Sequence, residues 1–139
     1  DQYIKHNLRA KYYIRYADDF VIMSNNQEYL QGILSLVGQF LKEELKLTLH
    51  PNKIEIRDYY LGIDFLGYVI FPKFILPRTK TKKRIFRKLT EKAQKINEGK
   101  ASPESLNQAL QSYLGYLSHC NSHKLSQEVK NQILFLQTN

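Results

Sequence analysis

The spacing of apolar positions changes several times along the chain, and each change marks an element. Residues 11–16 and 20–24 are dense in Tyr, Ile, Val and Phe, the side chains that strands favour, and Asp18-Asp19 stands where the two runs meet. From residue 26 to 45 the spacing becomes helical. Leu30, Ile33, Leu34, Val37, Phe40, Leu41 and Leu45 recur at i, i+3 and i+4. Asn25 followed three positions later by Glu28 predicts an N-terminal capping box. Period two then returns. Leu47 and Leu49 alternate with polar residues, Pro51-Asn52 turns the chain, and Ile54 and Ile56 alternate again, which predicts further strands. Residues 62–77, punctuated by Gly62, Gly67, Pro72 and Pro77, predict a compact hairpin.

After Pro77 the pattern is helical to the end. Ile85, Phe86, Leu89, Ala93 and Ile96 share one stripe, and Gly99 supplies a C-terminal stop. Ser102-Pro103 signals the next helix start. Leu106, Ala109, Leu110, Tyr113, Leu114 and Leu117 form that helix's apolar face. A third helix over 123–137 carries Leu125, Val129, Ile133 and Leu136. Each stripe is one-sided, so three helices can bury them together. The expected fold is therefore α+β: strands with a packed helix over 1–77, then a three-helix bundle over 78–139.

Charge separates the same two parts. Lys and Arg balance Asp and Glu, 9 against 9, over residues 1–77, but outnumber them 12 to 4 over residues 78–139. The whole net charge of +8 sits in the helical part, an asymmetry that suggests a polyanion partner; the alternative at this point is a solvated charged helix. No apolar run approaches the ~18 residues of a membrane span. The lone Cys120 excludes an intramolecular disulfide, and no signal-peptide pattern opens the chain, so a cytoplasmic setting is expected. The chain opens on Asp1, and "DQYIKHNLRAKYY" reads as a helix end running into a strand, as in a piece of a longer protein.

Asp18-Asp19 is the candidate for chemistry. Between strands such a pair is ordinarily a turn. Here Tyr16, Ala17, Phe20 and Val21 crowd it, which predicts strands packed on the inner face of a sheet. Two carboxylates held together repel, and protonation or a cation must neutralise them. Carboxylate, water and phosphate oxygens are the ligands Mg²⁺ accepts. Two such ions about 3.5–4 Å apart clamp an in-line phosphoryl displacement.

"YADD" at Tyr16–Asp19, framed by "YYIR" and "FVIM", resembles the Tyr-x-Asp-Asp hairpin in the palm of reverse transcriptases. The order of the downstream motifs strengthens the resemblance. The helix at 26–45 looks like the palm helix after that hairpin. "LTLHPNKIEI" is similar to the next motif, with Lys53 at its lysine, and "GIDFLGYVIF" is similar to the primer-grip hairpin. A basic helical thumb comes last. The texture of "LPRTKTKKRIFRKL" and "SLNQALQSYLGYLSHCNSHKL" is closest to bacterial retroelement enzymes, of the group II intron or diversity-generating type.

The resemblance implies roles. Asp18 is the stronger ligand and Asp19 the supporting ligand for two Mg²⁺ ions near the primer 3′ end and the incoming dNTP. Tyr16 and Ala17 line the primer-terminus side. Lys53, otherwise a solvated lysine, becomes a cation beside the triphosphate that can protonate the leaving pyrophosphate. Phe65, Leu66 and Gly67, otherwise core, lie against the primer backbone. Arg78, Lys80, Lys82, Lys83, Arg84, Arg87 and Lys88 crowd a helix start, where acids are favoured, and imply phosphates of an RNA template and DNA primer as the anions. An intron or retroelement RNA is a further implied partner. His119, Cys120 and His123 are too few for a zinc site and are read as corner residues.

The family takes another carboxylate from a strand upstream of the hairpin, a position that Asp1 does not match. The chain is thus expected to be the C-terminal palm plus thumb of an RNA-directed DNA polymerase, inactive as an isolated piece. The competing expectation is a non-catalytic RNA-binding module of the maturase type found in group II intron proteins.

Overall fold

The computed structural model describes residues 1–138, with side-chain surroundings through Leu136; Asn139, the last residue of the expected thumb, lies outside the described residues. The fold is α+β, with antiparallel strands and, among the described residues, four α-helices. It forms two compact units, Asp1–Asp58 and Tyr59–Asn139.

The first unit opens with a π-helical turn over Tyr3–Asn7. Strands β1 (Tyr12–Tyr16) and β2 (Asp19–Met23) pair antiparallel, with Tyr16 opposite Asp19 and Arg15 opposite Phe20. Helix α1 runs over Gln27–Glu44. Strand side chains alternate between faces, so Tyr13, Phe20 and Ile22 turn together toward α1. They pack against a core of Ile4, Ala10, Ile33 and Val37. The opposite face is open: Ile14 is 57% exposed and Tyr16 63%. The expectation of strands buried on an inner face therefore holds for one face only, because α1 can cover just one side of a two-stranded ribbon.

Two further expectations are corrected. The cap of α1 is Asn26, not Asn25: its Oδ1 accepts from the Tyr29 N–H at 2.9 Å. Glu28 is thereby one residue off the reciprocal position of a capping box, and Ser24 Oγ instead accepts from the Asn26 N–H at 3.1 Å. Residues 46–50 and 54–58 form no ladder, and Pro51–Lys53 is a 3₁₀ turn. Alternation predicted strands there, but a strand exists only by pairing with a neighbour, and Leu47, Ile54 and Ile56 remain exposed.

In the second unit the expected hairpin is a three-stranded antiparallel sheet. Strands β3 (Ile63–Phe65), β4 (Tyr68–Ile70) and β5 (Ile75–Pro77) pair in chain order. Helices α2 (Thr79–Asn97), α3 (Pro103–Leu117) and α4 (His123–Thr138) follow. The three stripes meet as expected, and Leu89, Leu117 and Val129 are fully buried at the centre. Gly99, at φ +69°, ends α2 in a Schellman motif: Lys100 N–H donates to Lys95 O at 2.8 Å and Gly99 N–H to Ile96 O at 2.9 Å. Ser102 caps α3 ahead of Pro103. Residues 59–77 thus share a compact unit with the basic helices. Among the described residues no helix is long and apolar enough to cross a membrane.

Candidate functional site

The YADD segment forms the tightest hairpin connection available. Tyr16 pairs with Asp19, so only Ala17 and Asp18 span the gap. Ala17 has φ +52°. Positive φ at the first central residue fits the right-handed twist of the strands and is normally a place for Gly. An alanine there is a strained backbone position, of the sort that gathers at functional turns. The consequence is geometric. Asp18 projects from the tip, Asp19 is the first paired residue of β2, and Tyr16 and Asp19 share the open face of the ribbon. Neighbours on an extended strand would point apart, whereas the turn presents both carboxylates at one end.

Both aspartates are exposed. Among the described residues neither carboxylate has an ion-pair or hydrogen-bond partner, and no group of three or more His, Cys, Asp and Glu side chains gathers into a metal cluster. Two hard carboxylates with no cation of the unit's own fit a divalent metal that takes its other ligands from water and phosphate.

A brace behind the turn was not apparent in the sequence. Arg15 grips the Asp1 carboxylate in a fork, Nε to Oδ1 at 2.9 Å and Nη2 to Oδ2 at 3.0 Å, and Nη1 donates to the Ala17 carbonyl at 3.3 Å. Tyr13 Oη donates to Asp1 Oδ1 at 2.6 Å. Burial raises the Tyr13 phenol above its ordinary value, against the opposing charge of Arg15. The only signal in sequence was that Tyr13 and Arg15 alternate on one strand face.

Lys53 ends the 3₁₀ turn of the first unit, exposed, with no carboxylate partner among the described residues. The Pro51 ring opens that turn, and the Lys53 N–H returns to His50 O at 2.9 Å, so the backbone under the lysine is fixed.

In the second unit Phe65 is buried and Leu66 is partly exposed, at 43%, in a second two-residue turn. Leu66 and Gly67 have φ +52° and +87°, the signature of a type I′ hairpin turn. A Cβ on Gly67 would stand 3.2 Å from Tyr116 Oη, so the close neighbour that Gly67 admits here is a tyrosine of α3. Arg78 forms the N-terminal boundary of α2, and its guanidinium pairs with Asp64 of β3. Arg87 and Lys88 share Glu91, at 3.5 and 3.2 Å. Lys80, Lys82, Lys83 and Arg84 have no carboxylate partner among the described residues. No acid stands in the first turn of α2, while its Lys80, Lys83, Arg84, Arg87 and Lys88 all face solvent. His119, Cys120 and His123 form the corner between α3 and α4, where the Cys120 thiol donates to Leu117 O at 3.3 Å.

These features coincide with a family. The chain belongs to the reverse transcriptase (RNA-dependent DNA polymerase) family, whose family model matches residues 1–70, a span that includes the YADD turn, Lys53 and the Leu66–Gly67 turn. Among curated proteins it is similar to the "Putative COX1/OXI3 intron 2 protein" of Saccharomyces cerevisiae (strain ATCC 204508 / S288c). The two are 33% identical over 63 residues, which cover 45% of this chain and 7% of that much longer protein.

Proposed function

We propose that this chain carries part of the active site of an RNA-directed DNA polymerase, which transfers a nucleotide from a dNTP to a primer 3′ end. The observation that carries the reading is the YADD turn: within a span matched to the reverse transcriptase family, it presents two adjacent carboxylates without a cation of their own. Asp18 and Asp19 would hold Mg²⁺, two ions in the complete enzyme. When bound, the metal supplies charge neutralisation for an in-line phosphoryl displacement. Tyr16, on the open face beside Asp19, and Ala17 line the primer terminus. Lys53 holds its ammonium toward the triphosphate and delivers a proton to the leaving pyrophosphate.

Residues 1–77 act as the palm segment and 78–139 as the thumb. The turn at Phe65, Leu66 and Gly67 receives the primer backbone. Arg78, Lys80, Lys82, Lys83, Arg84, Arg87 and Lys88 receive phosphates of the template–primer duplex, whose A-like minor groove suits recognition by shape. The resemblance of its motifs supports a bacterial retroelement of the group II intron or diversity-generating type, in the cytoplasm.

The test is primer extension by the full-length protein on an RNA template with Mg²⁺. Asp18→Asn and Asp19→Asn are expected to lower kcat by about 100-fold or more, the scale on which lost electrostatic stabilisation acts at active sites. RNA binding should persist. Unchanged synthesis would overturn the reading. It would favour a second one, a non-catalytic RNA-binding module of the maturase type, which the similarity to an intron protein supports.

A further inference from the structure

Tyr116 is not among the residues whose spacing marks the apolar face of α3, yet it packs against the bundle core and is a hub of the second unit's polar contacts. Its hydroxyl donates to the Gly67 carbonyl at 2.7 Å. The Arg78 N–H donates to the same carbonyl at 3.1 Å. Tyr68, directly after the turn, stacks its ring on Tyr116 with centroids 4.6 Å apart and planes 12° apart. The Tyr68 hydroxyl donates to the Tyr116 carbonyl at 2.9 Å. The Arg78 side chain completes the loop by pairing with Asp64 of β3. One carbonyl, that of Gly67, thus receives the α3 phenol and the backbone at the start of α2 together.

The arrangement is specific. Burial raises the Tyr116 phenol above its ordinary value of 10.0, against the Thr81 side chain and the charges of Arg84 and Arg78, so at neutral pH it stays a donor. The turn it holds bears a non-glycine residue, Leu66, at positive φ, a conformation that needs outside support. Next to the turn begins the row of cations on α2.

We propose that Tyr116 is a positioning residue. It locks the Leu66–Gly67 turn to the start of α2, so that the exposed turn and the cations of α2 present one rigid surface to the sugar-phosphate backbone of an RNA–DNA hybrid. The inference rests on the proposed nucleic-acid role of this surface. If the turn is loosened, only a fraction of molecules hold the binding geometry, and apparent affinity falls by that fraction.

Three variants of the full-length protein test it, with a labelled RNA–DNA template–primer as the probe. Tyr116→Phe keeps the ring stack and removes the bond to Gly67 O, together with the hydroxyl's contact with the Thr81 side chain. It is expected to raise the Kd roughly 3- to 10-fold, the weight of one hydrogen bond, at a temperature where the protein is fully folded, with the salt slope unchanged. Tyr68→Phe removes one hydrogen bond of similar kind but leaves Gly67 held. It should lower the melting temperature by a similar amount and leave the Kd as in the wild type. Equal Kd values for the two tyrosine variants, whether both wild-type or both raised, would overturn the positioning role. Lys83→Ala with Arg84→Ala reports on the reading beneath it. A flattened salt slope supports that reading, whereas unchanged binding by this variant overturns the reading, and the proposal with it.

Discussion

The row of cations on α2 is uneven, and the unevenness is measurable. Glu91 lies within 3.5 Å of Arg87 and 3.2 Å of Lys88, whereas Lys80, Lys82, Lys83 and Arg84 face no carboxylate among the described residues. Exposed ion pairs are weak, so a phosphate can displace Glu91 from either cation, but the carboxylate's charge stays nearby. At about 6 Å, near one helical turn, in water, the repulsion between that charge and one phosphate is worth about 3-fold in affinity. Glu91→Gln is therefore expected to tighten binding of an RNA–DNA hybrid about 3-fold at low salt, with the gain fading as the Debye length falls below ~8 Å. Each cation that neutralises a phosphate contributes about 0.9 to the slope of log K against log salt on B-form DNA. Lys83→Ala with Arg84→Ala should flatten the slope by about 1.8 on the same scale. Fluorescence anisotropy from ~50 to ~300 mM KCl measures both quantities over the range where such slopes are steep. A Glu91→Gln protein that binds no more tightly, together with an unchanged slope for the Lys83/Arg84 variant, would refute the assignment of this face to phosphates.

The turns and tyrosines give two more outcomes. Ala17→Gly relieves a left-handed alanine, a strain of ~1–2 kcal/mol, offset by the ~0.4–1 kcal/mol of extra unfolded-state freedom that glycine brings. Hydrogen exchange of the β1–β2 amides should slow up to several-fold, and faster exchange would show that Ala17 is not strained. Tyr68 and Tyr116 are both raised above their ordinary value of 10.0, chiefly by burial. The folded state then holds these protons more tightly than the unfolded state. Their stabilising contribution is full below pH 10 and is lost as pH rises through the folded-state values. Melting curves followed across the alkaline range should fall more shallowly for Tyr116→Phe than for the wild type.

The helices were legible because their signals are local. One-sided stripes, Ser102-Pro103 and Gly99 act within a few residues, and the bundle core of Leu89, Leu117 and Val129 follows from them. The YADD turn was legible for the same reason: the β-forming runs 11–16 and 20–24 leave only residues 17–19 between them, and the structure narrows the connection to Ala17 and Asp18. The cap of α1 was misplaced by one residue because Asn25 and Asn26 are equally good cap residues, and only the helix start at Gln27 chooses between them.

Residues 46–58 mark where local pattern stops being enough. Leu47, Leu49, Ile54 and Ile56 alternate as a strand does, but the ladder bonds that define a strand come from another segment, which no single window of sequence contains. Local pattern is enough for the helices, their buried stripes, the acidic turn and the concentration of positive charge after Pro77. Tertiary structure alone decided that Arg15 and Asp1 brace Ala17, and that Tyr116 reaches back 49 residues to Gly67. A hydrogen bond between residues distant in the chain leaves no periodicity behind, so it becomes visible only when packing has brought its two ends together.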